Sequence, residues 1–317
     1  MKIFIEIPTW LGDAVMVTPA IETIVRVYPD CMLTLFGSHS SIETLRKGPN
    51  VRRTMIDDSK KRGNRLLHLK RIAINAGTFD LAFSFRRGFP TKVLFFFIKS
   101  KKKFIYKKNI KDNTHQVIKY NNFVNHYLGT EYKTTDLRLH FNKFTYNKQT
   151  LGINPGATYG SAKRWYPEEF AKVALALCSK YNIVIFGGSD EVQIANDIQS
   201  ILEKERVSNI ENIAGKTTIP QLIERIAGLD LFLTNDSGPM HIAAAFKIKT
   251  VAIFGPTKND VTSQWNNPHG YIIHKNLDCS PCMKRVCPLK HHRCMKEITA
   301  EEVLRLIQDK FLNGTRA

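Results

Sequence analysis

The sequence predicts an α/β protein made of two Rossmann-like domains, and three observations carry that expectation. Short apolar runs of strand character alternate with amphipathic helical stretches from residue 2 onward, as in parallel sheets covered by helices. The alternation restarts at Leu151-Gly152-Ile153-Asn154, after a polar linker near 142–150. At 317 residues the chain exceeds one typical domain, whereas two of about 150 residues would each bury a core. The expected division is 1–148 and 149–317. No solenoid-like repeat is evident.

The elements follow in order. Residues 2–7 read as a strand, 8–13 as a loop and 14–28 as one apolar-periodic helix stopped by Pro29-Asp30. Residues 32–36 form the next strand, after which helical patterns at 41–47, 65–75 and 114–128 alternate with short strands such as 81–85. In the second half, strand 151–154 leads to a helix over 167–181 and a strand over 182–186 that stops at Gly187-Gly188. A helix then runs to about residue 205, 210–213 is extended, and 219–227 is helical. The apolar run 229–233, a glycine turn and a small-residue helix over 242–246 come next, then strand 250–254 and a last helix over about 301–311. Open parallel sheets bind ligands beyond the carboxyl ends of their strands. The informative loops are therefore those past Ile7, Asn154, Phe186, Asn235 and Phe254, and all five are polar or glycine-rich.

No stretch reaches the roughly 18 to 20 apolar residues of a membrane span, and the N-terminal strand lacks the features of a signal peptide. A cytoplasmic protein is expected. The formal charge is +19, and residues 1–150 carry 27 Lys+Arg against 11 Asp+Glu, so nearly all the excess lies in the first half. A polyanionic partner follows, whether nucleic acid, an anionic membrane surface or a phosphorylated substrate. The densest basic segment runs from Lys92 to Lys111, with Phe95-Phe96-Phe97-Ile98 followed by Lys99, Lys101, Lys102, Lys103, Lys107, Lys108 and Lys111. A core helix over 91–98 followed by a solvated lysine loop is favoured for the aromatics, and contact with anionic headgroups for the lysines.

Asn235-Asp236-Ser237-Gly238-Pro239-Met240-His241 joins a strand to a helix start. With Pro at the first helical position, Ser237, Gly238 and the helix N-terminus offer N–H groups to a phosphate, although ordinary capping fits the same residues. Asp13, in Trp10-Leu11-Gly12-Asp13-Ala14, is likewise either a cap or a ligand-facing acid at a helix start. The loop Asn154-Pro155-Gly156-Ala157-Thr158-Tyr159-Gly160-Ser161-Ala162-Lys163-Arg164-Trp165 supplies freed amides, hydroxyls and two cations, which suits a diphosphate. Cys279, Cys282, Cys287 and Cys294 lie beside His291 and His292. The first pair has zinc-ligand spacing but the second has six residues between its cysteines rather than two, so no metal is assigned and zinc stays open.

Taken together these motifs resemble the ADP-heptose:lipopolysaccharide heptosyltransferase family, and within it the subgroup acting second on the inner core. The resemblance runs through Gly12-Asp13-Ala14-Val15-Met16, Asn154-Pro155-Gly156-Ala157, Ala162-Lys163-Arg164-Trp165, Phe186-Gly187-Gly188, Ala214-Gly215-Lys216-Thr217, the 235–241 heptapeptide and Phe254-Gly255-Pro256-Thr257. The cysteine-bearing tail, with Cys279-Ser280-Pro281-Cys282 and His291-His292-Arg293-Cys294, extends it. Trp165-Tyr166-Pro167 departs from it by one inserted tyrosine, and the first half is richer in lysine than the resemblance leads one to expect.

The resemblance implies an inverting glycosyltransferase of the GT-B type, whose two Rossmann-like domains face each other across a cleft. The C-terminal half would hold the nucleotide sugar ADP-heptose and the last helix would pack back toward the first domain. Asp13 corresponds to the proposed general base. Lys163, with the Ser237 and Gly238 amides, would stabilise the departing diphosphate without a metal or other cofactor. Thr158 and His241 would lie near the phosphates, Asp236 toward the heptose hydroxyls, Thr217 beside the adenine, and Asp190 or Glu191, with Glu191 favoured, on the ribose. The acceptor would be a lipid-anchored, phosphorylated inner-core saccharide, reached from the cytoplasm at the inner leaflet of the inner membrane by a peripheral enzyme. Two alternatives accompany this reading: a sugar-nucleotide epimerase of the same architecture, and a basic nucleic-acid-binding protein with a cysteine knuckle.

Overall fold

The computed structural model describes residues 1–61, 63–107 and 113–313. They divide into two compact units, Met1–His140 and Phe141–Ala317. Each holds one parallel sheet.

In the first unit the sheet comprises β1 (Lys2–Glu6), β2 (Met32–Gly37), β3 (Val51–Ile56), β4 (Thr78–Ser84) and β5 (Lys99–Ile105), in the order β3-β2-β1-β4-β5. Ile3 pairs with Leu33 on one side and Leu81 on the other, so the central strands are flanked twice and carry near-continuous apolar sequence. Phe4, Phe36, Phe79 and Phe95 meet on one face of this sheet, with Leu69, Ala73 and Leu94 from the covering helices. The chain reverses its direction of travel across the sheet between β1 and β4, which opens a crevice at their carboxyl ends.

The single helix expected over 14–28 is two, Leu11–Met16 and Thr18–Val27. Pro19 lacks the N–H that would continue the ladder, and the Thr18 hydroxyl instead donates to the Val15 carbonyl at 2.8 Å. The lysine segment is also reorganised. The helix is Phe89–Phe97, and Lys99, Lys101, Lys102 and Lys103 lie in edge strand β5 rather than in a loop. A row of lysines on an exposed edge discourages further strand pairing. Lys103 also turns back to the Phe95 carbonyl at 2.7 Å, and Lys101 pairs with Asp80 at 2.8 Å. Phe95 is buried as expected of a core residue, whereas Phe96 is 77% exposed. Lys108 and Lys111 lie outside the described residues.

The second sheet comprises β6 (Thr150–Asn154), β7 (Asn182–Ile185), β8 (Ile210–Asn212), β9 (Leu231–Asn235), β10 (Thr250–Ile253) and β11 (Gly270–Ile273), in the order β11-β10-β9-β6-β7-β8. This is the doubly wound dinucleotide-fold order, with the reversal between β6 and β9. Gly152 sits at its centre because a Cβ there would lie 2.4 Å from Leu229 and 2.9 Å from Phe186 and Phe232. The last helix, Ala300–Ile307, continues as a π-helical turn over Gln308–Leu312. It buries Val303 and Ile307 in the second unit's own core beside Phe170 and Ala174. The segment after residue 141 is tied to the same unit, since Phe144 N donates to the Glu224 carbonyl at 2.9 Å and Tyr146 Oη to the Arg225 carbonyl at 3.1 Å. Among the described residues no helix is long and apolar enough to cross a membrane.

Candidate active site

In the second unit the carboxyl ends of β6 and β9 are laced together by side-chain amides. Asn154 Nδ2 donates to Ser237 Oγ at 3.2 Å, and Asn235 Nδ2 to the Pro155 carbonyl at 2.7 Å. Asn235 Oδ1 accepts from Trp165 N at 3.1 Å, while the buried Trp165 ring donates to the Ile298 carbonyl at 2.9 Å. The loop 154–165 is thereby pinned at both ends over the reversal point, and Lys163 reaches inward from it. Lys163 Nζ lies 2.5 Å from Asp236 Oδ2, and that carboxylate oxygen also accepts from Thr257 Oγ1 at 2.5 Å. Lys163 Nζ stands 4.8 Å from the centre of the Tyr159 ring. Ser237 is the N-cap of helix Gly238–Ala245, and its hydroxyl does not cap the helix amides. The first N–H groups there point out of the helix end, where the macrodipole favours negative charge.

In the first unit a cavity of about 530 Å³ opens at the ends of β1 and β4. Asp13 enters it from the first turn of helix Leu11–Met16, where an acid is favoured by the helix dipole. Tyr120 Oη donates to Asp13 Oδ1 at 3.4 Å. Lys60, Arg65, Arg86 and Arg87 line the same cavity. Arg86 is held by three groups: its Nε donates to the Ile7 carbonyl at 2.6 Å, and its Nη1 lies 2.8 Å from Asp57 and 3.7 Å from Glu6. Burial pushes the Glu6 carboxyl above its ordinary range against the pull of Arg86. Burial also raises Asp57, but hydrogen bonds from Ser59 and Arg86 outweigh it and the net direction is down. Among the described residues Nη2 of Arg86 is buried without a hydrogen-bond partner.

Residues 80–293 match the family described as glycosyltransferase family 9 (heptosyltransferase). Across 99% of both chains, 42% of residues are identical to lipooligosaccharide heptosyltransferase 2 of Campylobacter jejuni serotype O:2. The chain belongs to glycosyltransferase family 9, the heptosyltransferases. Its fold matches the solved ADP-heptose LPS heptosyltransferase II of Escherichia coli, with a TM-score of 0.81, 21% identity and 99% of each chain covered. It also matches an E. coli heptosyltransferase solved with ADP, with a TM-score of 0.79, 15% identity and coverage of 98% of this chain and 100% of that one. At these identities the two structures establish the GT-B architecture of the fold.

Within this heptosyltransferase, Lys163, Asp236, Ser237 and Gly238 converge at one place, joined by Asn154 and Thr257, which belong to the quoted motifs but had been given no role of their own. Thr158 is exposed on the same loop. His241 is buried at 4% exposure, one turn into helix Gly238–Ala245. Thr217 is half-buried in the turn after β8, beside Gly215, whose φ of +73° favours glycine. Asp190 is exposed, whereas Glu191 is buried, with its carboxylate accepting from Gly188 N at 2.8 Å. Glu191 also lies beneath Gly156, where a Cβ would fall 2.0 to 2.2 Å from the Glu191 carboxyl. Gly156→Ala is therefore expected to push Glu191 off Gly188 and destabilise the unit by about 1–3 kcal/mol through overpacking. A lowered thermal midpoint together with weakened ADP binding is the expected result; an unchanged ADP titration would show that the two loops are not linked through Glu191.

Cys279, Cys282, Cys287 and Cys294 line one small cavity together with His291 and His292, and all four thiols are free. Burial, then the neighbouring thiols, push Cys294 up to about 11. Among the described residues no three His, Cys, Asp or Glu side chains are arranged to hold a metal ion. This segment braces the Lys163 loop. Ala162 N donates to the Arg285 carbonyl at 3.0 Å, and Tyr159 Oη to the Met283 carbonyl at 2.8 Å. The His292 ring bridges the Ala162 carbonyl and the Tyr166 hydroxyl at 2.9 and 3.1 Å. The inserted Tyr166 thus has a structural partner, and Gly160 has its reason: a Cβ there would meet the Arg285 carbonyl oxygen at 2.3 Å.

Proposed function

We propose that this heptosyltransferase moves L-glycero-D-manno-heptose from ADP-heptose onto the first heptose of the lipopolysaccharide inner core. The observation that carries the reading is the identity of 42% along essentially the whole of both chains with a lipooligosaccharide heptosyltransferase 2. Neither the epimerase nor the nucleic-acid reading is favoured by these relatives.

The residues divide the chemistry between them. Lys163, the Ser237 and Gly238 amides and the helix end take the diphosphate, with Thr158 and His241 beside it. Asp236 turns to the heptose hydroxyls, Glu191 serves the ribose and Thr217 the adenine. Asp13 accepts the proton of the acceptor hydroxyl as that oxygen bonds to the anomeric carbon. The bond from that carbon to the diphosphate oxygen breaks in the same displacement, ADP leaves with the electron pair, and the configuration inverts. These donors are aimed at the oxygens where charge develops as ADP departs, so no cofactor is assigned. The cations of the first unit's cavity, with the buried Nη2 donor of Arg86, suit a phosphorylated acceptor. The excess positive charge of residues 1–150 suits work as a peripheral protein on the cytoplasmic face of an anionic inner membrane.

Incubation with ADP-heptose should release ADP only when a heptose-primed inner-core acceptor is supplied. Equal turnover of the nucleotide sugar alone would replace this reading with an epimerase.

A further inference from the structure

We propose that Tyr120 is a positioning residue for Asp13, orienting its carboxylate and stabilising the ionised form from which it acts. The inference rests on the reading of Asp13 as the general base. Tyr120 lies in helix Gln116–Leu128 and is 5% exposed. Two aromatic neighbours fix its ring: Phe85 at 5.4 Å and 85°, and Tyr106 at 5.2 Å and 64°. The Tyr106 hydroxyl in turn accepts from Gln116 Nε2 at 3.2 Å.

The helix itself is registered against the helix pair that carries Asp13. The buried Thr23 hydroxyl donates to Asn121 Oδ1 at 2.7 Å, and Asn121 Nδ2 donates onward to the Tyr132 carbonyl at 2.8 Å. A polar link of this kind fixes rotation as well as distance, because a one-residue turn of the helix would break it. Tyr120 therefore presents its hydroxyl to Asp13 Oδ1 from a frame that is set before any substrate arrives.

Ionisation does not compete with this role. Burial, then the Asp13 charge, hold the Tyr120 phenol well above its ordinary value, so it remains a donor throughout the working range. Among the described residues, the titratable and charged groups lining the Asp13 cavity are Tyr120, Tyr106, Glu6, Asp57, Lys60, Arg65, Arg86 and Arg87. Helices His39–Leu45 and Thr18–Val27, which also pack against the Asp13 helix, contribute none of the described lining. Removal of one hydroxyl leaves every one of the other groups in place.

A hydrogen bond to the charged form of an acid lowers its pKa. Tyr120→Phe keeps the ring and deletes the donor, so the pKa of Asp13 should rise. The expected result is that the acidic limb of kcat/KM against pH moves upward by about half to one unit. The high-pH plateau should fall only a few-fold, and ADP affinity should be unchanged. A tyrosine that merely packed would instead lower the rate equally at every pH and leave the limb where it was, and that result would overturn the proposal. Site-specific 3-fluorotyrosine in place of Tyr120 tests the same point in the other direction: a more acidic phenol is a stronger donor and should move the limb downward. It also serves if Tyr120→Phe does not fold. Asp13→Asn run beside them separates the two readings. Full activity of Asp13→Asn removes the base and this inference together, whereas an inactive Asp13→Asn with an unmoved Tyr120→Phe limb removes this inference alone.

Discussion

Asp13→Asn is expected to lower kcat at least about 100-fold while ADP binds as before. General-base assistance is typically worth about 10²–10⁴ in rate, and this substitution removes it without removing volume. The amide still offers an oxygen to Tyr120, so the helix turn and the cavity around it should persist. ADP affinity is the internal control, since the residues assigned to the nucleotide all belong to the second unit and Asp13 to the first. The experiment measures ADP release at saturating donor and acceptor, beside a calorimetric titration with ADP. Loss of rate with intact ADP binding is the expected pair of results. Full turnover would mean that the acceptor hydroxyl loses its proton elsewhere, and Asp13 would then be only the acid at a helix start that its position also allows.

The strand-helix alternation that revealed both sheets was legible because the central strands are buried on two sides and carry unbroken apolar runs, as at Ile3-Phe4-Ile5 and Leu231-Phe232-Leu233. Edge strands lack that signature. β3, Val-Arg-Arg-Thr-Met-Ile, is exposed along most of its length, and β5 is mostly lysine, so neither reads as a strand from its residues alone. The break at Val17 was missed because the apolar period passes straight through it, and only Pro19 signals the change. Around the site, Lys163, Asp236 and Ser237 were found because they sit in short glycine-marked loops past strand ends. Arg86 and Tyr120 were not, and neither was the part that Thr257 and the 279–294 segment play as partners, because each acts through a residue distant in sequence. Arg86 meets Ile7 and Glu6, Tyr120 meets Asp13, and Arg285 meets Ala162. No local pattern encodes such pairings; they arise only when the parallel sheet brings strand ends together.

Lys163→Met should damage both activity and stability, and the two losses have different remedies. In the structure Lys163 and Asp236 neutralise one another with side chains 12% and 4% exposed. Removing one member of a buried pair strands the other, which typically costs about 3–5 kcal/mol. A marked fall in thermal midpoint is therefore expected from Lys163→Met alone. Adding Asp236→Asn removes the stranded charge, keeps a partner for Thr257, and should recover most of that midpoint. Activity should not recover with it. Donors aimed at developing charge contribute about 10²–10³ in kcat each, and neither variant restores a cation opposite the departing diphosphate. On the proposed assignment, donor binding exchanges partners: the diphosphate would take over Lys163 from Asp236 and leave Asp236 to the sugar. On that account the double variant should regain stability while its kcat stays at or below that of Lys163→Met, measured as ADP release beside thermal unfolding. A double variant that regains both would make Lys163 a structural residue that only holds Asp236 in place.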